Sequence, residues 1–297
     1  MRTYLDCIPC LVRQALDSAR LITDDEAIQE EVLREVLRLA GKMVLYQTPP
    51  AMAQKIHRFI RELTGVQDPY LQVKDRFNKF ALKMYPDMKE RIETSADPLE
   101  TAVRLAIAGN IIDLGVKSGL AESQVERTIA GSLTESLDME ALEEFRNATA
   151  QAKDILYLGD NAGEIVFDRL LIEQLPCKNI TFVVKADPII NDATMQDAEM
   201  TGLTDMVSVI DNGSDAPGTI LQSCSQEFRR RFNEADLVIA KGQGNYETLS
   251  DADKNIFFVL KAKCPVIAQH LGCEIGCLVL TKNNAKISNE EYLKERS

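Results

Sequence analysis

Histidine is nearly missing. The 297 residues hold only His57 and His270, and neither neighbours a Gly-x-Ser-x-Gly elbow, so a Ser–His nucleophilic triad is disfavoured and both imidazoles read as structural or surface groups. Long apolar runs are missing too. No stretch approaches the roughly 18 uninterrupted apolar residues of a spanning helix, and Met1-Arg2-Thr3-Tyr4-Leu5-Asp6 has no apolar signal segment, so the expectation is a cytoplasmic protein outside the membrane. Positive charge is scarce: 34 basic against 46 acidic side chains leave a net charge of −12, which repels nucleic acid polymers and anionic head groups. The one dense basic cluster, Arg229, Arg230 and Arg231, reads as a solvated helix face. The 7 cysteines are odd in number and irregular in spacing, which suits reduced thiols better than the staples of a small secreted fold.

Phosphate-binding signatures of the commonest kinds are also absent. There is no Gly-x-x-x-x-Gly-Lys-Ser/Thr loop and no Gly-x-Gly-x-x-Gly fingerprint, which speaks against P-loop nucleotidases and dinucleotide dehydrogenases. No Asp-x-Asp follows the first strand, as a haloacid-dehalogenase type of phosphatase would need.

What is present is an ordinary globular composition, 45% hydrophobic and 27% charged, long enough for about two domains. Up to residue 150 the pattern is helical. Thr23 and Glu26 have capping-box spacing, Thr48-Pro49 opens a helix that Gly65 closes, and a third helical stretch runs to Pro86. Asp97-Pro98 opens a run lasting to Gly115, and further helices are expected around 121–131 and 138–153. Beyond residue 153, short β-branched runs alternate with helical segments: 155–158, 180–184, 207–210, 237–240, 256–260 and 278–280. That alternation is how a mostly parallel sheet covered by helices reads. The expected fold is α/β: a helical region over 1–150 followed, over 151–297, by a Rossmann-like doubly wound sheet that carries the site.

Ligands of open α/β sheets bind beyond the carboxyl ends of the strands, and here those positions are polar. The first strand runs into Gly159-Asp160-Asn161-Ala162-Gly163-Glu164, and the second into Lys185-Ala186-Asp187-Pro188 and then Asn191-Asp192-Ala193-Thr194. The third runs into Asp211-Asn212-Gly213-Ser214, the fourth into Lys241-Gly242-Gln243-Gly244-Asn245, and the fifth into Lys261-Ala262-Lys263. Asp160, Asn161 and Asp192 are hard oxygen donors suited to Mg²⁺, Mn²⁺ or a similar divalent ion, with Lys241 and Lys263 placed to neutralise a phosphate. Each residue also has a plainer reading. Asp160-Asn161 fits an Asx turn, Asp192 fits a helix N-cap, and both lysines fit a solvated surface.

Together these segments resemble the metal-dependent damage-control phosphatase family. Cys7-Ile8-Pro9-Cys10, followed by Leu11-Val12-Arg13-Gln14-Ala15, resembles its stand-alone prokaryotic branch, as does the helix from Asp97-Pro98-Leu99 through Asn110 to Asp113. The resemblance implies hydrolysis of phosphate monoesters of small metabolites, with a divalent cofactor (Mg, Mn, Co or Ni) on Asp160, Asn161 and Asp192. It also implies that Lys263, closing the family's Arg-Thr-x-Lys motif, grips the phosphate; this chain has Leu260-Lys261-Ala262-Lys263 there, so the final lysine alone carries over. Asn110, Glu164, Lys241, Gly242, Gln243 and Asn245 are the candidate substrate-binding positions. Attack by water and attack by the Asp160 carboxylate fit equally well. Cys7 and Cys10 read as packed or intermittently oxidised thiols, because a permanent metal would need about four ligands. The expected partner is a small phosphorylated metabolite, and the sequence does not fix an oligomeric state. Two alternatives are an S-adenosylmethionine-dependent methyltransferase and a non-catalytic phosphometabolite-binding module.

Overall fold

The computed structural model describes residues 1–111, 127 and 129–283. Its sheet contains β1 (Ile155–Leu158), β2 (Ile180–Val184), β3 (Ser208–Asp211), β4 (Leu237–Lys241), β5 (Ile256–Lys261) and β6 (Leu278–Lys282), in the order β3-β2-β1-β4-β5-β6. The first five strands are parallel and β6 runs antiparallel on β5, so the expected α/β doubly wound architecture is the observed one. Every residue of β1, β2 and β4 is buried, which is why these strands read as continuous apolar runs.

Helices α1 (Cys7–Ile22), α2 (Glu26–Gly41) and α3 (Pro49–Thr64) make a small core of their own from Leu11, Ala15, Val32, Val36, Met52, Ile56 and Ile60. Helices α4 (Leu71–Glu93), α5 (Pro98–Ala108) and α6 (Met139–Gln151) instead share a core with one face of the sheet, through Phe77, Val103, Ala106 and Phe145 against Tyr157, Ile239 and Phe257. The first 150 residues therefore do not share a single core. Along the second half come α7 (Glu164–Gln174), α8 (Met195–Met200), α9 (Gln226–Glu234), α10 (Gly242–Leu249) and α11 (Pro265–Leu271). The opposite sheet face buries Leu156, Leu158, Val238 and Phe258 against Phe228, Leu249 and Ile267. On α9, Phe228 and Phe232 point inward while Arg230 pairs with Glu227 and Glu234 at the surface, as expected of a solvated basic face.

Thr48 and Gly65 do bound α3, the glycine in the left-handed conformation. Several boundaries differ from expectation. The N-cap of α2 is Asp25, whose carboxylate accepts from the Ala27 N–H at 2.9 Å, not Thr23. Helix α4 does not stop at Pro86; it continues to Glu93, because Met84, Met88 and Ile92 keep burying the same face. Helix α5 stops at Ala108 and passes into a short 3₁₀ turn, Gly109–Ile111. The run on to Gly115, with Asp113, and most of the helix expected at 121–131 lie outside the described residues. Among the described residues no helix is long and apolar enough to cross a membrane. Cys273 and Cys277 form a disulfide, a departure from the expectation of reduced thiols at those positions, whereas Cys7 is not disulfide-bonded.

Candidate active site

The strand order reverses between β1 and its neighbours β2 and β4, and the crevice at that switch point is where such sheets bind ligands. Two loops meet there and are stitched by backbone hydrogen bonds. The Ala193 N–H donates to the Asp160 carbonyl at 2.8 Å, and the Ala162 N–H donates to the Asn191 carbonyl at 2.9 Å, so Asn161 and Asp192 pair as an isolated antiparallel bridge. Asn191 Nδ2 adds a bond to Asn161 Oδ1 at 2.8 Å. Ile190 enters this bridge with φ at 46°, a conformation costly for a β-branched residue, and strain of this kind concentrates at functional sites. Helix α4 clamps both loops from behind. Buried Asn78 accepts from the Gly163 N–H at 2.7 Å and donates to Asp197 Oδ1 at 2.8 Å, while Asp197 closes a capping box with Thr194 at the start of α8. The N-cap of α8 is thus Thr194, which leaves Asp192 outside that role.

Acidic groups crowd the crevice. Burial, then the charges of Glu164 and Asp192, push the Asp160 carboxyl well above the usual carboxylate range, while Lys263 and Lys185 act in the opposite direction. Asp160 Oδ2 accepts from Asn110 Nδ2 at 3.0 Å and from Asn161 Nδ2 at 2.7 Å. Glu164, at the start of α7, takes the same two amides on Oε2, at 2.6 and 2.9 Å. Lys185 ends its reach 3.5 Å from Asp192 Oδ2 and donates to the Gly218 carbonyl. Gly242 sits against the carboxylate, with φ at 76° and room for no side chain: a Cβ there would fall 1.9 Å from Asp160 Oδ2.

Asp160, Asn161, Asp192, Glu164, Asn110 and Gly242 are therefore brought together, and Lys263, half-buried at the end of the β5 loop, bears electrostatically on Asp160. Gln243 supports that loop, its Oε1 accepting from the Lys263 N–H at 3.4 Å. Two substrate-binding expectations need correction. Lys241 is fully buried with three acceptors, the Ala106 carbonyl at 2.8 Å, Glu164 Oε1 at 2.7 Å and Asp168 Oδ1 at 2.6 Å, so no donor is left for a phosphate. Asn245 is equally buried, tied to the Gly159 and Lys241 carbonyls and to Thr219 Oγ1, and serves the scaffold. Sequence reasoning missed the parts played by Lys185, Asn191, Asp168 and Asn78. Lys185 and Asn191 stood in the strand-end segments with no role given to them, Asp168 had the signal of standing one helical turn after Glu164, and Asn78 had none. Of the two histidines, His57 is buried and His270 bonds to the Tyr246 hydroxyl at 2.7 Å, as structural groups.

The donors in the crevice suit a hard divalent cation. Asp160, Glu164, Asp168 and Asp192 face Lys185, Lys241 and Lys263, one negative charge in excess around a carboxyl already pushed upward. Asp160 and Asp192 would supply the anionic oxygens. Asn161 now turns Oδ1 to Asn191 and Nδ2 to the carboxylates, and a half-turn of that amide would present its oxygen instead. Among the described residues no three His, Cys, Asp or Glu side chains form a ready-made metal group, so the fit rests on this mixed carboxylate–amide set.

A family model described as the damage-control phosphatase ARMT1-like domain matches residues 3–279. The chain is 37% identical over 281 residues to a damage-control phosphatase of Archaeoglobus fulgidus, covering 92% of this chain and 96% of that protein. It is 38% identical over 288 residues to an uncharacterised protein of Methanocaldococcus jannaschii, covering 93% and 94%. The crystal structure of a DUF89 family protein from Pyrococcus horikoshii superposes with a TM-score of 0.86 at 33% identity, covering 96% of this chain and all of that one.

Proposed function

The chain belongs to the damage-control phosphatase ARMT1-like family, and from that premise we propose that it is a divalent-metal-dependent phosphatase hydrolysing phosphate monoesters of small metabolites, damaged or surplus nucleotide or sugar phosphates among them. The observation that carries this reading is the stitched pair of loops. By holding Asp160 and Asp192 on one crevice with an excess negative charge, they make a place for one divalent cation, and the cation makes a place for a phosphate.

The chemistry follows that of phosphoryl transfer generally, in which positioning and charge neutralisation do most of the work. A bound Mg²⁺, Mn²⁺, Co²⁺ or Ni²⁺ supplies Lewis-acid charge at the phosphoryl group. Asp160 and Asp192, with Asn161, would hold it. Lys263 neutralises phosphoryl oxygens from the β5 side, and Gln243 fixes the backbone from which it reaches. Asn110, which also binds Glu164, keeps Asp160 oriented, and Gly242 lets the start of α10 pack directly against that carboxylate. Substrates are small and soluble in this reading, and nucleic acid polymers and membranes have no part in it.

A methyltransferase has less to support it: where the ribose of S-adenosylmethionine would seek a carboxylate at the end of the second strand, this chain carries Lys185. Hydrolysis of p-nitrophenyl phosphate tests the proposal. Turnover is expected with Mg²⁺, Mn²⁺, Co²⁺ or Ni²⁺, and is expected to vanish in excess chelator and in Asp160→Ala. Full activity under either condition contradicts the metal role, and ligand binding without turnover across a broad phosphate-ester panel favours a binding module.

A further inference from the structure

Lys241 and Asp168 take no part in the chemistry above, yet they form a fully buried ionic pair beside the crevice. The Lys241 ammonium spans Glu164 Oε1 at 2.7 Å and Asp168 Oδ1 at 2.6 Å, and all three side chains are buried to 1% exposure or less. Asp168 Oδ1 also accepts from the Tyr157 hydroxyl at 2.7 Å, while its Oδ2 has no hydrogen-bond partner. At the other end, the two amides on Glu164 Oε2, those of Asn110 and Asn161, are the same two that grip Asp160 Oδ2. An unbroken chain of contacts therefore runs from Tyr157 and Asp168 through Lys241 and Glu164 to Asp160.

The arrangement gives each link a mechanical job. Glu164 and Asp160 share amide donors, and two carboxylates so placed repel unless one of them is drawn off by a cation. Lys241 draws Glu164 from behind, and Asp168 holds Lys241 there. Burial alone would favour a neutral amine, but Asp168 and Glu164 outweigh it and keep the Lys241 ammonium above its usual value. Such a triad adds little to stability compared with well-packed apolar side chains, so stability alone does not account for it.

We propose that Lys241 and Asp168 are positioning residues for the Asp160 site, acting through Glu164 to lock the Asn110 and Asn161 amides against the Asp160 carboxylate. The proposal rests on the phosphatase reading for its kinetic consequences but not for its geometry. Two variants test it. Asp168→Asn keeps the shape and an acceptor for Lys241 while removing the charge, and Lys241→Met removes the tie altogether. With side chains at the site displaced by a fraction of an ångström, kcat for p-nitrophenyl phosphate is expected to fall about threefold to tenfold in D168N and at least about tenfold in K241M. KM should stay within about twofold, and the Mn²⁺ concentration giving half of the metal-induced rise in melting temperature should increase at least about threefold.

A purely structural triad would lower the melting temperature and leave kcat per folded molecule and the Mn²⁺ midpoint unchanged, which overturns the proposal. If K241M does not fold, D168N decides alone. Should the wild type turn over no phosphate ester in any metal, the functional reading fails by itself. The coupling is then judged from the side-chain amide NMR signals of Asn110 and Asn161, which move in D168N if the chain of contacts transmits and stay fixed if it does not.

Discussion

Gly242→Ala is the smallest change with the largest predicted consequence. The added methyl would fall 1.9 Å from Asp160 Oδ2 and 2.3 Å from its Cγ, against an ordinary contact distance of about 3.4 Å, so the carboxylate must retreat by roughly 1.5 Å or the turn must open. The left-handed φ of 76° adds about 1–2 kcal/mol for any residue with a Cβ. A displacement of about 1 Å at reacting groups commonly costs two orders of magnitude in rate, so turnover should drop at least about 100-fold, with a stability loss of about 1–3 kcal/mol. The assay is metal-supported hydrolysis of p-nitrophenyl phosphate alongside thermal melting, with Gly41→Ala as control, since a Cβ at Gly41 meets nothing within 4 Å. A folded G242A enzyme within threefold of wild-type turnover would refute the placement of Asp160 at the reacting centre.

Three further outcomes are expected. Asp215 is buried against α3, where burial opposes its charge but Arg58, Gln54 and Arg61 prevail and bring it down to about 2. Its folded value being the lower one, its contribution is complete above about pH 4 and is lost as pH falls through about 2. Wild type should exceed Asp215→Asn by about 1–2 kcal/mol at neutral pH, discounting for the half-exposed Arg58, and the gap should close in that acid window; a gap unchanged at pH 2 contradicts the assignment. Asn78→Leu strands the buried Gly163 N–H and removes a donor from Asp197, which should cost about 2–3 kcal/mol in denaturant unfolding; a cost below about 0.5 kcal/mol would mean the clamp is idle. Lys263→Met should raise KM for phosphate esters at least about tenfold with melting unchanged, and an unaltered KM removes Lys263 from the phosphate.

The sheet was readable because its central strands are buried on both sides and leave continuous apolar runs, and α3 was readable because Thr48-Pro49 and Gly65 punctuate it. The convergence of 160–161 with 192 was readable in outline, since both follow adjacent strands of a parallel sheet. Lys241 was misjudged by one residue of register. β4 extends through it, and the two-residue period puts its side chain on the face of Leu237 and Ile239, inside the core beneath α5, and not on the rim. Local reasoning stopped helix α4 at Pro86 because proline removes one hydrogen bond, but about two more turns of core contacts, through Met88 and Ile92, outweigh that loss. The Asn78 clamp joins residues 85 and 119 positions apart, and no local pattern announces such a partner.

Crystals equilibrated with Mn²⁺ and measured at its absorption edge test the central claim most directly. The account predicts one strong anomalous peak within coordination distance of carboxylate oxygens from both Asp160 and Asp192, lost in Asp192→Asn. A map with no peak in that crevice, or with manganese bound only elsewhere, would contradict it.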